Sequence, residues 1–387
     1  MSSALVGRVT ETGGPAIVYP GGMTRLVTAV ALLAFVAGAP ALAQPEVGTA
    51  VSEHGEAELL IVDKSAGQLV RLDLATGAVT ARIDVGFGPH EVEVVPAASS
   101  PTGRPLAAVS LYGTGPRPGS SVAFVDLATG AVAEVSVAPF TRPHGLAHVP
   151  GSRFLLVTAE AQDSLLVLEL AAAGSLEDVT ADGGTAVGTV VATPPLGSRV
   201  PHMVVAAPDG SAGFASAITG ASVSRVDLSG RAVDGEPAVT SAQVGPGAEG
   251  IALTPDGAQV WAGSNGGHSL YVLDAATLDT VAVVPTCAVP IRVTAVGPNL
   301  MAATCMDDAE VQLFDAASRA LVASITLPGG TGRPVGTLAT HDGARLYVAT
   351  TADGRVHEID VAAGRVLRTF DVGVEPDGLA FGPKTEE

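Results

Sequence analysis

The chain has little of several things. Aromatic residues make up 4% and charged residues 15% of its 387 positions, and it holds two cysteines. Basic residues are scarce, 20 Lys and Arg against 39 Asp and Glu, for a formal net charge of −19. That balance excludes a general nucleic-acid binder, which needs a basic stripe to replace the counterions on phosphates. Cys287 and Cys305 are too few sulfurs to favour a thiolate metal site, and no Cys-x-x-Cys pair is present. No Gly-x-Ser-x-Gly elbow occurs, and Asp307-Asp308 does not match a calcium loop. The glycines of Gly263-Ser264-Asn265-Gly266-Gly267 lack the strand-to-helix context of a phosphate cradle. No convincing helix run and no linker appear. What the chain has is glycine (47), proline (27) and a 47% hydrophobic share, which suits short buried strands joined by tight turns and does not suit disorder.

Near the N-terminus, Met23-Thr24-Arg25 opens a short basic region, an apolar run follows from Leu26 to Val36, and Ala41-Leu42-Ala43 precedes Gln44. This is the three-part layout of a secretory signal, and the run is too short for a comfortable membrane span. The alternative is a retained N-terminal anchor. The expected layout is an upstream leader or mis-called start over 1–22, a signal peptide over 23–43 and one domain over 44–387. The mature protein is then periplasmic or secreted, with no membrane span. In that oxidising setting Cys287 and Cys305 are expected to form a disulfide between neighbouring repeats.

One stretch returns along the chain. Gly88-Pro89-His90-Glu91 leads into an apolar run, as do Arg142-Pro143-His144-Gly145 and Val200-Pro201-His202-Met203. Looser copies stand at Ala248-Glu249, Pro290-Ile291, Pro334-Val335 and Pro376-Asp377. Between copies, alternating segments such as Leu69-Val70-Arg71-Leu72-Asp73-Leu74 close through turns such as Ala75-Thr76-Gly77, the signature of half-buried strands in hairpins. An acidic residue recurs before each hairpin (Asp73, Asp126, Glu169, Asp227, Asp274, Asp315, Asp360), where it is expected to accept bonds from turn amides. The segments 111–121 and 171–188 read as inserted loops.

Seven units of four short strands predict an all-β, seven-bladed β-propeller. Its ends are complementary, so the C-terminal strand is expected to complete the first blade and hide both edges. The column Leu346-Tyr347-Val348-Ala349-Thr350, the Asp-bearing hairpins and the Pro-Asp-Gly turns at 208–210 and 255–257 resemble the YVTN-type repeat. That repeat belongs to exported bacterial seven-bladed propellers, including YncE-like and surface-layer-associated proteins. The resemblance covers about residues 50–383 and implies the fold; the family's members bind varied partners.

In such a propeller the residue after each turn proline lies near the axis. The ring then reads His90, His144, His202, Glu249, Ile291, Val335 and Asp377. Three of the chain's eight histidines share this column in consecutive blades. Imidazoles joined by a carboxylate suit zinc, copper or iron, so His90, His144, His202, Glu249 and Asp377 are candidate metal ligands. The same groups suit general acid–base chemistry, with His144, His202 and Glu249 as candidates. Each histidine could instead cap its turn. Arg142, Arg199, Arg292 and Arg333 flank the turn prolines and are expected to rim the mouth, where guanidinium forks would grip a small anion unless Glu91, Glu249 or Glu375 nearby pairs with them as surface charges. Loops on the same face offer Tyr112, Arg117, Glu160, Asp163, Asn265 and His268, while His54, His148, His341 and His357 share no column.

The leading expectation is therefore an exported binding protein for a small anionic molecule, a metal ion or both. Streptogramin-lyase-like and gluconolactonase-like propellers are similar in placing a metal with His or Glu at the channel mouth, which raises an enzyme of the lyase or lactonase kind. An envelope scaffold with a protein partner is the third reading.

Overall fold

The computed structural model describes residues 56–383 apart from 172–175, 177–186, 231–235 and 331. The expected leader, the signal peptide, His54 and most of the 171–188 insertion lie outside these residues.

The strands follow the repeat. Blade one contains β1 (Glu58–Asp63), β2 (Gln68–Asp73) and β3 (Val79–Asp84). Blade two is β4 (Pro89–Val95), β5 (Leu106–Gly113), β6 (Pro118–Asp126) and β7 (Val132–Ser136). Blade three is β8 (Pro143–His148), β9 (Phe154–Ala159), β10 (Ser164–Leu170) and β11 (Gly188–Ala192). Blade four is β12 (Pro201–Ala206), β13 (Ala212–Ala217), β14 (Ser222–Asp227) and β15 (Val239–Gln243). Blade five is β16 (Ala248–Leu253), β17 (Gln259–Ser264), β18 (Ser269–Asp274) and β19 (Thr280–Pro285). Blade six is β20 (Pro290–Val296), β21 (Leu300–Cys305), β22 (Glu310–Asp315) and β23 (Leu321–Thr326). Blade seven is β24 (Pro334–Ala339), β25 (Arg345–Thr350), β26 (Arg355–Asp360) and β27 (Arg365–Asp371), and β28 (Pro376–Gly382) follows. All seven sheets are four-stranded and antiparallel, and β28 pairs with β1 as the innermost strand of blade one. The ring is closed by the C-terminal strand, so neither end leaves an open edge on the axis.

Packing repeats with the same period. Each of seven buried apolar clusters spans one seam between neighbouring blades. The seam between blades seven and one joins Tyr347, Val356 and Phe370 to Leu59, Ile61 and Val70. Trp261, the one tryptophan, is fully buried in the seam between blades five and six, 6.4 Å from Phe314. The acidic column accepts from turn amides: Asp73 Oδ1 from Thr76 N at 2.7 Å and Asp274 Oδ1 from Ala276 N at 2.9 Å. Glu169, one carbon longer, instead meets Arg153 at 3.4 Å.

One expectation changes. Residues 111–121 are not simply a loop, because β5 and β6 run on through them and turn at 114–117, where Thr114 N donates to Arg117 O at 2.8 Å. The longer hairpin carries Tyr112 over the axis end. Cys287 and Cys305 are joined as a disulfide, Cα to Cα 5.7 Å, which ties the segment before β20 to the end of β21 within blade six.

Candidate functional site

Every innermost strand starts with the same irregularity. In β4, Pro89 pairs with Leu111 and Val92 with Val109, so His90 and Glu91 both stand opposite Ser110. The shift recurs at Pro143/Leu146, Pro201/Val204, Ala248/Ile251, Pro290/Val293, Pro334/Thr337 and Pro376/Leu379. Two residues facing one is a β-bulge, which re-aims side chains that strict alternation would send to opposite faces. Small or hydroxyl residues oppose the bulges of blades two to seven, and Val62 opposes that of blade one. Ser110, Thr158 and Thr304 accept from the amides of Glu91, Gly145 and Arg292 at 3.1, 2.8 and 3.0 Å. Thr158 also donates to His202 O of the next blade at 2.7 Å, stitching the ring together. Glycine takes the second bulge position where backbones crowd: a Cβ on Gly336 would lie 1.8 Å from Asp377 O.

The bulges bring His90, His144 and His202 side by side. Ring centroids are 4.1 Å apart for His90–His144 and 3.7 Å for His144–His202. The outer two also face carboxylates. His90 Nδ1 lies 3.3 Å from Asp377 Oδ2 and 3.4 Å from Glu91 Oε1. His202 bonds Glu160 Oε1 through Nδ1 at 2.6 Å and faces Glu249 Oε1 with Nε2 at 3.4 Å. His144, 1% exposed, has no hydrogen-bond partner at either ring nitrogen. Donor atoms of His144, Glu160 and His202 lie within 4.8 Å of one another, as do those of His90, Glu91 and His144. Such buried His/Glu groups could hold a metal ion.

Each flank is finished differently. On the Glu160 side, Tyr112 donates its hydroxyl to Glu160 Oε2 at 2.6 Å, and Asn265 Nδ2 donates to Glu249. On the other side Arg292 pairs with Glu91 and lies 3.4 Å from Asp377, while Lys64 Nζ is 2.9 Å from Asp377. A cavity of about 310 Å³ adjoins this charged layer, lined by its Glu91 and Arg292 and by Glu93, Leu146, Met203 and Ile251 among others.

The surroundings set the charge states. Burial alone would lower His202, but its bonds to Glu160 and Glu249 outweigh that and raise it to about 9. Burial, with His202 and His90 adding to it, holds His144 well below the usual imidazole range, so it is neutral. Asp377 would be raised by burial, yet His90, Lys64 and Arg292 bring it down to about 2. Burial pushes Glu93 up to about 7.

The arginines separate. Arg292 is not at the rim but inside the charged layer, 7% exposed, because the bulge turns it inward onto Glu91. Arg142 lies over the Tyr112 ring at 5.1 Å and donates to Gly115 O at 2.9 Å. Arg199 and Arg333 are exposed, the latter 3.2 Å from Met306 Sδ. His357 is buried between Thr350 and Thr369, His148 meets Ser152 O at 3.1 Å, and His268 Nδ1 accepts from Val289 N at 3.2 Å. Lys64 escaped the sequence reading entirely, and Glu91 figured in it only as a possible partner for arginine. The signal for Glu91 was its position beside His90 in a column whose counterpart is Arg292.

No protein-family model matches the chain, and no curated protein matches it. Among solved structures, a functionally unknown protein from Desulfotomaculum acetoxidans DSM 771 is similar at TM-score 0.62 and 12% identity, covering 84% of this chain and 99% of that one. Hydrazine synthase of Kuenenia stuttgartiensis is similar at 0.56 and 19%, covering 75% and 88%. The dihydro-heme d1 dehydrogenase NirN in complex with DHE is similar at 0.55 and 15%, covering 82% of this chain; the chain spans 64% of NirN's length. These likenesses are of fold and support a propeller family.

Proposed function

We propose that this chain is an exported metal-binding propeller whose mouth holds one divalent transition ion on His144, His202 and Glu160, with Glu249 as a further donor. The observation that carries the reading is His144. A fully buried imidazole with two unpartnered nitrogens is costly unless a cation accepts its lone pair, and Glu160 and His202 offer that cation further donor atoms within 4.8 Å. Charge supports it. Three buried carboxylates (Glu91, Glu160, Asp377) and the half-buried Glu249 meet two permanent cations, Lys64 and Arg292, a deficit that a divalent ion would fill. Lys64 and Arg292 are committed to Glu91 and Asp377, so the vacancy in charge lies on the Glu160 side. Two imidazoles and a carboxylate are the donor set of catalytic zinc and of non-haem ferrous sites. Export rests on the pattern over Met23–Ala43, and membership of the YVTN-type group on the hairpins and the 346–350 column.

The test is metal content. Protein purified from its own compartment, and chelator-treated protein titrated with zinc and with ferrous iron, should bind one equivalent. His144→Ala and His202→Ala should lose it while remaining folded, and His148→Ala should not. Wild-type protein with no metal above background sinks the reading.

A lyase- or lactonase-type enzyme is the second reading, favoured by His90. Its ring lies against His144, its side chain is 21% exposed, and it stands where a base could reach a ligand on the ion.

A further inference from the structure

We infer that the ligand of this centre is a small monocarboxylate, one end held by Arg142 and the other on the ion; the inference rests on the metal-centre reading. Of the four arginines expected to grip an anion, Arg292 is consumed by Glu91 and Asp377, and Arg199 and Arg333 stand exposed at the periphery. Arg142 differs. Its backbone is left-handed at φ 57°, as is that of Arg333 at 54°, so what sets it apart is how its side chain is held. The guanidinium lies over the Tyr112 ring at 5.1 Å, and its Nη2 is fixed to Gly115 O at the tip of the long hairpin.

Tyr112 connects this group to the centre. Its ring lies edge-on to His90 and His144, 5.3 and 5.5 Å between centroids, and its hydroxyl is on Glu160. A stacked guanidinium is a pre-organised fork for a planar two-oxygen anion. Arg142 is half-buried, so part of that fork meets solvent at the mouth. No carboxylate of the described residues lies within ion-pair distance of it. Arg142 therefore carries one positive charge that none of the ion pairs around the centre engages. One carboxylate balances that charge; a phosphate dianion would overshoot it, in a chain that already carries −19.

Cobalt(II) reports on such a ligand through its visible absorption. The cobalt-loaded full protein would be titrated with 2-hydroxypropanoate and, in parallel, with its uncharged amide. The acid should shift the spectrum saturably and the amide should not. Arg142→Ala should weaken the acid roughly tenfold or more, as expected for a charge-assisted pair, with cobalt content unchanged. Arg142→Lys should recover only part, because an ammonium lacks the fork. Equal binding of the amide, no binding of the acid, or wild-type affinity in Arg142→Ala overturns the ligand while leaving the centre standing. Absence of cobalt uptake, read by metal analysis before any titration, overturns both.

Discussion

Lys64, just past the first described strand, places its ammonium 2.9 Å from Asp377 in the last one. Closure of the ring and assembly of the site therefore share a contact. Asp63 reinforces it, accepting from the amides of Val374 and Glu375 at 2.8 and 3.0 Å. Lys64→Ala should cost about 3 kcal/mol, since it strips a partner from a buried carboxylate. Removing residues 376–387 should cost far more, because a core strand goes and an edge opens. Thermal melts of both variants check this; a truncated protein that melts like wild type would refute the closure.

Acid should act through Asp377. Its pKa of about 2 lies below the usual carboxylate value, so its contribution is present above about pH 4 and is lost as pH falls towards 2. The loss is on the order of 2 kcal/mol. Denaturant midpoints of wild type and Asp377→Asn between pH 5 and pH 2 should converge as the pH drops.

Alkali should act through His202. A pKa raised to about 9 means the metal-free protein has the full benefit of the imidazolium below about pH 6.5 and loses it as pH rises through 9. A metal must displace that proton. Affinity should therefore rise about tenfold per pH unit up to about pH 9, a range set by Glu160 and Glu249 and higher than that of a free imidazole. Calorimetry with zinc at pH 6.5, 7.5 and 8.5 measures the slope; a flat profile would remove His202 from the ligand set.

The Cys287–Cys305 bond closes a short loop, with a sequence separation of 18, beside the mouth. Reduction, or Cys287→Ser with Cys305→Ser, should lower stability by about 3 kcal/mol. Chemical denaturation with and without reductant should differ for wild type and coincide for the double variant.

Gly336→Ala is expected to act at a distance from its own blade. The added methyl would meet Asp377 O, backbone that cannot swing aside, so β24 and β28 must part. A loss of roughly 3 kcal/mol, together with weaker metal binding, is the expected result. Gly364→Ala, where nothing stands within 4 Å but φ is 61°, should cost less and leave binding alone.

The fold was legible because its signals are local and repeated: alternation, an acidic residue before each hairpin, a proline before each inner strand. The first bulge column was legible for the same reason, and the structure sets His90, His144, His202, Glu249 and Asp377 around one axis end. The second column was not. Period-two reasoning sends neighbours to opposite faces, so Glu91 and Arg292 were given surface roles that the bulge cancels. Lys64 was out of reach because its partner belongs to a strand at the far end of the chain. Tyr112 was visible only as a loop residue, since nothing in residues 111–121 announces that two strands extend through them.

The seven bulges also separate two kinds of inheritance. Seam packing lives in the strand positions that follow each bulge, whereas adjacent pairs such as His90-Glu91 and Ile291-Arg292 touch the axis and little of the apolar seams. Changing such a pair rewrites the chemistry of the mouth without re-cutting the seams that keep the wheel round. A lineage built on this frame can exchange a histidine for an isoleucine, blade by blade, and keep folding while it searches for a new ligand. The row Ile291, Val335, His90 on a single ring is what such a history would leave behind.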